Sequence, residues 1–225
     1  MKILVIEDEL ALLQDIKAYL ESENYVVETA TGYQEADGKV SGYEYDCIVV
    51  DINLPGGSGF DIVNGLKEIR SSAGIIIISA RNSIDDKLKG LDIGSDDYLV
   101  KPFHLSELNA RIKAVFRRRN LAGNNITVFN EIVIDHTSGK VEVSGNAVTL
   151  TQKEFDLLVY FIVNKNKVLS QASIVEHLWE DKIELAGTYS FLYTHIRNLR
   201  KKLMDSGSSN YVKSIYGIGY KWEDQ

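Results

Sequence analysis

Several residue types that define other classes of protein are scarce in this chain. A single cysteine among 225 residues leaves no internal disulfide possible, which excludes a stapled secreted scaffold. Cys47 lies in the apolar run Cys47-Ile48-Val49-Val50 and reads as a small core side chain. No apolar run approaches the ~20 residues needed to cross a bilayer, so no membrane partner is expected. The amino end turns acidic at Glu7-Asp8 after four apolar residues, too short a stretch for a signal peptide. A cytoplasmic location is the expectation. No segment fits G-x-x-x-x-G-K-[ST] or G-x-G-x-x-G, and Gly56-Gly57-Ser58-Gly59 matches neither, so a bound nucleotide is not expected. Excess positive charge is also missing. With 25 basic and 32 acidic residues the net charge is −7, which taken whole argues against nucleic acid as a partner.

What is present is ordinary in bulk and uneven in distribution. Hydrophobic residues make up 44% and charged residues 25%, as in globular proteins generally. The length suits two domains, each large enough to bury a core. Residues 1–119 hold 14 Lys/Arg against 20 Asp/Glu, and the remainder 11 against 12. Within the second part, Gly187 to Leu203 carries Arg197, Arg200, Lys201 and Lys202 and no acid. The join falls at Arg117 to Asn125, where a charged helix end runs into Gly and Asn. The expected division is a first domain over 1–119, a linker over 120–125 and a second domain over 126–225.

In the first part, short apolar runs recur at Ile3–Ile6, Tyr25–Val27, Cys47–Val50, Ile75–Ile78 and Tyr98–Val100. Helical periodicity fills the gaps, as in Leu12, Leu13, Ile16 and Leu20, or Leu105, Leu108, Ile112 and Val115. This alternation predicts an α/β doubly wound fold, a five-stranded parallel sheet covered on both faces. Polar residues then gather at strand ends: Glu7 and Asp8 after the first, Asp51 after the third, Ser79 after the fourth, Lys101 after the fifth. Open α/β sheets build their sites at those carboxyl ends. Alone, Asp51 reads as a turn former and Lys101 as a surface lysine; the ordered set reverses that reading. Clustered carboxylates repel unless a cation compensates. Mg²⁺ favours such oxygen ligands. With an ammonium and a hydroxyl it stabilises a transferring phosphoryl group. Without a nucleotide loop, the phosphate acceptor is expected to be a carboxylate, best Asp51.

The segments Ile6-Glu7-Asp8-Glu9, Val50-Asp51-Ile52-Asn53-Leu54-Pro55-Gly56, Ile78-Ser79-Ala80 and Asp97-Tyr98-Leu99-Val100-Lys101-Pro102-Phe103 resemble the receiver domain of two-component response regulators. The resemblance implies that Asp51 accepts a phosphoryl group from a sensor histidine kinase. It implies Mg²⁺ held by Glu7, Asp8, Asp51 and the Asn53 backbone carbonyl. Ser79 and Lys101 would contact phosphoryl oxygens, Tyr98 would act as a switch, and the Lys101-Pro102 bond would be cis. Asn53 and Arg81 fall where the family tunes acyl-phosphate lifetime.

The second part reads as short strands over Ile126–Phe129, Ile132–Asp135, Lys140–Val143 and Ala147–Leu150. Thr151-Gln152-Lys153-Glu154 fits a capping box opening a helix. A second helix is expected from about Ser170 to Trp179, and a third from about Gly187 to Leu203. A hairpin follows over Tyr211–Ile215 and Tyr220–Trp222. On the third helix Phe191, Ile196, Leu199 and Leu203, with Leu192 nearby, are expected to supply a buried stripe. Arg197, Asn198, Arg200, Lys201 and Lys202 would crowd its remaining surface. Basic side chains there suit the DNA major groove, although Lys and Arg also complement a helix C-terminus without any ligand.

Leu150-Thr151-Gln152-Lys153-Glu154-Phe155-Asp156-Leu157-Leu158, Thr194-His195-Ile196-Arg197-Asn198-Leu199-Arg200-Lys201-Lys202-Leu203 and Gly217-Ile218-Gly219-Tyr220 resemble the winged helix-turn-helix effector domain (an α+β fold) of the OmpR/PhoB subfamily. The resemblance implies double-stranded promoter DNA as ligand, with Thr194, His195, Arg197, Asn198, Arg200, Lys201 and Lys202 on the recognition helix. It implies RNA polymerase as a partner of the loop Glu180 to Ala186. Two departures stand out. Tyr216 replaces the wing arginine that enters the minor groove, leaving Lys213 or Lys221 to take part of the phosphate contact. Leu192-Tyr193-Thr194 replaces a Val-Asp-Val-like run, so base preference is expected to differ.

Phosphorylation adds about −1.5 to −2 charge at Asp51. By the resemblance this promotes a homodimer through the fourth helix, fifth strand and fifth helix, where Lys87, Asp96, Asp97, Glu107, Arg111 and Arg118 supply mixed charges. The reading is a phosphorylation-dependent transcriptional regulator, not an enzyme beyond autodephosphorylation. One alternative is a Mg²⁺-dependent phosphatase with Asp51 as nucleophile, which needs a general acid two residues on, where Asn53 stands. The other is a phosphorylation-independent DNA-binding protein.

Overall fold

The computed structural model describes residues 1–80, 84–120, 123–179 and 185–223; the side chains of 85, 87 and 185–188 lie outside that description. The chain divides into two compact units, Met1–Arg119 and Asn120–Gln225.

The first unit runs β1 (Lys2–Ile6), α1 (Leu10–Ser22), β2 (Val26–Ala30), α2 (Tyr33–Gly42) and β3 (Cys47–Asp51). A two-strand ribbon follows, β4 (Asn53–Leu54) and β5 (Gly57–Ser58), then α3 (Gly59–Glu68) and β6 (Gly74–Ser79). It ends with α4 (Ile84–Asp92), β7 (Asp97–Val100) and α5 (Leu105–Asn120). The five long strands form a parallel sheet in the order β2-β1-β3-β6-β7. The order reverses between β1 and β3, and a crevice at the carboxyl ends is the consequence.

Strand alternation sorts the core into two layers. Ile3, Val5, Cys47, Val49, Ile76 and Ile78 point to one face, where Leu13, Ile16 and Leu20 of α1 and Leu108, Ile112 and Val115 of α5 cover them. Leu4, Ile6, Ile48, Val50, Ile75 and Ile77 point to the other, under Ala36 and Val40 of α2 and Ile62, Val63 and Leu66 of α3. Such strands are buried on both sides and read as continuous apolar runs. The second strand departs from its expected span, because it continues through Glu28 and Thr29 to Ala30. Glu28 is tolerated there through pairing, with Lys2 Nζ, itself buried, 2.8 Å from its Oε1 and Tyr45 donating to its Oε2 at 2.7 Å.

The second unit opens with a four-stranded antiparallel sheet, β8 (Ile126–Phe129), β9 (Ile132–Asp135), β10 (Lys140–Val143) and β11 (Asn146–Val148). Three helices follow: α6 (Gln152–Val163), α7 (Gln171–Leu178) after the short β12 (Val168–Ser170), and α8 (Leu185–Asp205). The hairpin β13 (Val212–Ile215) and β14 (Gly219–Trp222) closes the chain, and β12 pairs with β14 on its other edge. β12 escapes a sequence reading because three residues are too few to show a period. The capping box of α6 is present: Thr151 N–H donates to Glu154 Oε2 at 2.8 Å, and Thr151 Oγ1 accepts from Glu154 N–H. Trp222 is fully buried and packs edge-on to Phe129 and stacked on Tyr211, which ties the hairpin to the first sheet.

The buried stripe of α8 is Leu192, Ile196, Leu199 and Leu203, a spacing of four, three and four residues. Phe191, expected in that stripe, is 60% exposed instead. It stands one residue, about 100° of helix rotation, off the stripe.

Candidate functional site

Every strand-end residue singled out in the first unit lies at the carboxyl edge of the sheet. Asp51 closes β3, where it is paired with Ile78, and Ser79 follows one residue on at the end of β6. Lys101 follows β7, and its N–H donates to Ser79 O at 2.8 Å. Carboxylate oxygens of Glu7, Asp8 and Asp51 all fall within 4.8 Å of one another. Glu7, Asp51 and Ser79 are buried; Asp8 and Asn53 are exposed.

Lys101 is the positive centre of this cluster. Its Nζ is 2.6 Å from Asp51 Oδ2 and 2.6 Å from Glu7 Oε2, with a hydrogen bond to Glu7 Oε1 at 2.8 Å. Burial would push the ammonium pKa down, but hydrogen bonds to Asp51 and Glu7 outweigh it and hold the pKa above the usual lysine range. Burial raises the Glu7 carboxyl, and repulsion from Asp51 adds to this despite Lys101. Three acids against one ammonium leave negative charge uncompensated, and every donor atom is an oxygen. That set fits a hard divalent cation such as Mg²⁺.

The backbone around Asp51 is held closely. Asn53 N–H donates to Asp51 Oδ1 at 3.0 Å, and Gly59 N–H to Ile52 O at 2.9 Å. A Cβ on Gly59 would lie 2.0 Å from the Asp51 carbonyl oxygen, so only glycine admits α3 this close to the acidic loop. Tyr98, half-buried on β7, lies against α4 in the same way: a Cβ on Gly90 would meet its ring at 2.9 Å. The Lys101–Pro102 peptide is cis. Arg81 lies outside the described residues.

The charged residues expected on the α4–β7–α5 face pair within the chain. Arg111 bonds both Asp97 oxygens at 3.0 and 2.9 Å and Glu107 at 2.8 Å. Arg119 Nε donates to both Asp96 carboxylate oxygens at 2.8 Å, and Arg118 Nη2 donates to the Asp96 backbone carbonyl at 3.1 Å. Arg119 was not singled out from sequence, because nothing local distinguishes it from its two arginine neighbours. The Lys87 side chain lies outside the described residues. Sequence reasoning also passed over Ile84, Leu88 and Leu91, which are 74%, 53% and 45% exposed on α4. Their i, i+4, i+7 spacing is the available signal, which ordinarily marks a buried face.

In the second unit the basic helix separates into outward and inward groups. Thr194, Arg197 and Lys201 are exposed, with Tyr193 beside them. Asn198 is half-buried. Arg200 turns inward: its Nε donates to Val212 O at 2.9 Å, its Nη2 to Ser214 Oγ at 3.0 Å, and its guanidinium lies over the Tyr220 ring. Lys202 pairs with the buried Glu154 at 2.7 Å. Both were expected on the open surface, and both instead fasten α8 to neighbouring elements. His195, half-buried, packs beside Trp179, and burial lowers its pKa.

Lys213 and Lys221 face each other across the hairpin. By strand alternation they share the face opposite Ser214 and Tyr220, which are the residues turned to Arg200 of α8. Lys221 is also paired with Glu223 at 2.9 Å. The wing tip therefore consists of Tyr216, fully exposed, and Ile218, 55% exposed. The loop Glu180 to Ala186 lies outside the described residues, save the backbone of its last two.

An acidic carboxyl edge on a doubly wound sheet, followed in one chain by a three-helix unit with a closing hairpin, is the arrangement of a transcriptional response regulator. Residues 3–113 match the response regulator receiver domain, and residues 145–222 match the C-terminal domain of transcriptional regulatory proteins. The chain belongs to the two-component response regulators of the OmpR/PhoB type, phosphorylation-dependent regulators of transcription. It is 37% identical over 219 residues to the response regulator ArlR of Staphylococcus aureus, covering 97% of this chain and 98% of that one. Among solved structures, the receiver domain of Francisella response regulator 1452 is 34% identical with a TM-score of 0.50, over 52% of this chain and 97% of that one. A two-component response regulator from Clostridium difficile is 32% identical with a TM-score of 0.51, over 53% and 98%. Among the described residues no helix is long and apolar enough to cross a membrane. The phosphatase alternative is not favoured, and Asn53 supplies no acid where that chemistry needs one.

Proposed function

We propose that Asp51 is the phosphoacceptor of this regulator. In the transfer, the P–N bond of a kinase phosphohistidine breaks as an Asp51 carboxylate oxygen forms the new P–O bond. The observation that carries the reading is Lys101 Nζ, 2.6 Å from both Asp51 Oδ2 and Glu7 Oε2, with Asp8 in the same cluster. Lys101 neutralises charge on the phosphoryl oxygens, and Ser79 donates to one of them as Tyr98 follows it inward. Glu7, Asp8, Asp51 and the Asn53 carbonyl would hold Mg²⁺. Mg²⁺ would supply the compensating charge that lets a carboxylate approach a phosphate.

The reading extends to partners. Arg197 and Lys201, with Thr194 and Asn198, would meet promoter DNA in the major groove, with Tyr216 at the wing. The phosphorylated receivers would dimerise through Ile84, Leu88 and Leu91 of α4, rimmed by Asp96, Asp97, Glu107, Arg111 and Arg118. The kinase and RNA polymerase complete the set, in the cytoplasm. Hydrolysis of the acyl phosphate by the chain itself would reset the switch.

Acetyl phosphate with Mg²⁺ should add one phosphoryl group, seen by intact mass, and Asp51→Asn should abolish it. Full-stoichiometry labelling of Asp51→Asn would overturn the assignment.

A further inference from the structure

We propose that β8 is a pairing edge for a second copy of this chain, joining the four-stranded sheets of two second units across a twofold axis. The inference rests on the reading that phosphorylation brings two first units together, and it adds a contact made by the second units.

β8 is the outer strand of its sheet, in the order β11-β10-β9-β8. Edge strands present unpaired N–H and C=O groups, and proteins ordinarily blunt them with a charge or keep them very short. The other edge strands of the described sheets follow that rule. β2 carries Glu28, β7 carries Asp97 and β13 carries Lys213. β11 and β12 have three residues each, and β4 and β5 two. β8, Ile126-Thr127-Val128-Phe129, has neither protection. From Asn120 to Asn130 the sequence holds no charged residue. Ile126 is 51% and Val128 68% exposed, on the sheet face opposite the buried Phe129.

The register fixes which backbone groups face outward. His136 N–H donates to Asn125 O at 2.9 Å, so Asn125, Thr127 and Phe129 are the residues that exchange hydrogen bonds with β9. Alternation then turns the N–H and C=O of Ile126 and Val128 away from β9. A second β8 laid antiparallel and centred on Thr127 sets Ile126 opposite Val128 of the second copy, and Val128 opposite its Ile126. In that register every outward N–H meets a C=O, and the apolar side chains meet on one face. No charge on the strand opposes itself across the axis. The contact is self-complementary, as a twofold axis requires.

The pairing is small. Two four-residue strands fall short of the roughly 1,000 Å² that a stable interface buries, so the contact forms where two chains are already held together. α5 ends at Asn120 and β8 begins at Ile126, so β8 is the first element of the second unit along the chain. So short a tether gives two β8 strands a high effective concentration once the first units associate. A second copy is therefore the partner best supplied to this edge.

The test is disulfide formation in the full chain, with and without acetyl phosphate and Mg²⁺. Ile126→Cys and Val128→Cys change exposed side chains, and the buried Cys47, its thiol pKa pushed up by burial, does not compete. In the proposed register, position 126 of one copy faces position 128 of the other at about 5.5 Å between Cα atoms. Like positions lie on the diagonal, about 7–8 Å apart, beyond the reach of a disulfide. A mixture of the two variants should cross-link at least about tenfold faster than either alone, and acetyl phosphate should accelerate it. In sedimentation, Val128→Lys should weaken the dimer formed with acetyl phosphate about tenfold. If the mixture cross-links no faster than the single variants under either condition, or if Val128→Lys associates like wild type, the proposal is overturned. If either cysteine resists alkylation in the monomer, the strand is covered by its own chain, and the proposal is overturned as well. If the mixture cross-links selectively but acetyl phosphate makes no difference, the β8 pairing stands and the phosphorylation-driven association of the first units falls.

Discussion

Lys101 and Asp51 stand fifty positions apart in sequence and 2.6 Å apart in space, with Glu7 Oε2 equally near the same ammonium. One cation therefore spans two buried acids while the exposed Asp8 remains without it. Lys101 alone leaves the cluster negative, so on the proposed reading a divalent cation would be stabilising and a phosphoryl group would find a counter-charge in place.

Removal of one acid should weaken the metal without unfolding the sheet. Asp8→Asn changes an exposed side chain, and calorimetric titration should show Mg²⁺ affinity reduced at least about tenfold, or ~1.4 kcal/mol. Unchanged Mg²⁺ affinity would remove Asp8 from the ligand set.

The basic residues of α8 should divide by orientation. Arg197→Ala and Lys201→Ala should each lower DNA affinity and reduce the salt slope by about one phosphate contact. Lys202→Ala should leave that slope unchanged, because its ammonium is occupied by Glu154 at 2.7 Å. Its effect belongs in stability, read by unfolding in urea. A reduced slope in Lys202→Ala would show that the lysine leaves Glu154 for DNA.

Acid should loosen the second unit through Glu154. Burial pushes this carboxyl up, but bonds from Lys202 and the Thr151 N–H outweigh it and leave the pKa below the ordinary carboxylate value. A lowered folded-state pKa means the stabilisation is full above the unfolded pKa and is lost as pH falls through the folded one. Glu154→Gln keeps an acceptor for the capping box but loses the ion pair with Lys202, so it should cost about 1 kcal/mol at neutral pH and flatten the acid limb. Trp179 and Trp222, the only tryptophans, both lie in this unit and report its unfolding by fluorescence.

The α4 face should control assembly. Leu88→Asp places a charge on an exposed apolar stripe, so the monomer should fold normally. Sedimentation should show acetyl phosphate dimerising the wild type and leaving Leu88→Asp monomeric. A phosphorylated Leu88→Asp dimer would move the interface elsewhere.

The sequence by itself determined the sheet and which residues gather at its edge. A parallel strand buried on both faces must be an apolar run, so after four of the five runs the first polar residue marks the carboxyl edge, whereas Glu28 after the second run lies inside β2. Glu7, Asp51, Ser79 and Lys101 were legible for that reason. The capping box at Thr151 and Glu154 was legible because it is closed within four residues. Tertiary structure alone decided which cations are available. Lys202 meets Glu154 across 48 positions and Arg200 meets Val212 across 12. A helix written in isolation does not show which of its flanks a hairpin or another helix will cover. The same limit hid Arg119, the exposure of Phe191, and the side of the wing taken by Lys213 and Lys221. Local hydrogen bonds and periodicity are properties of neighbouring residues, whereas ion-pair partners and burial depend on packing between distant ones.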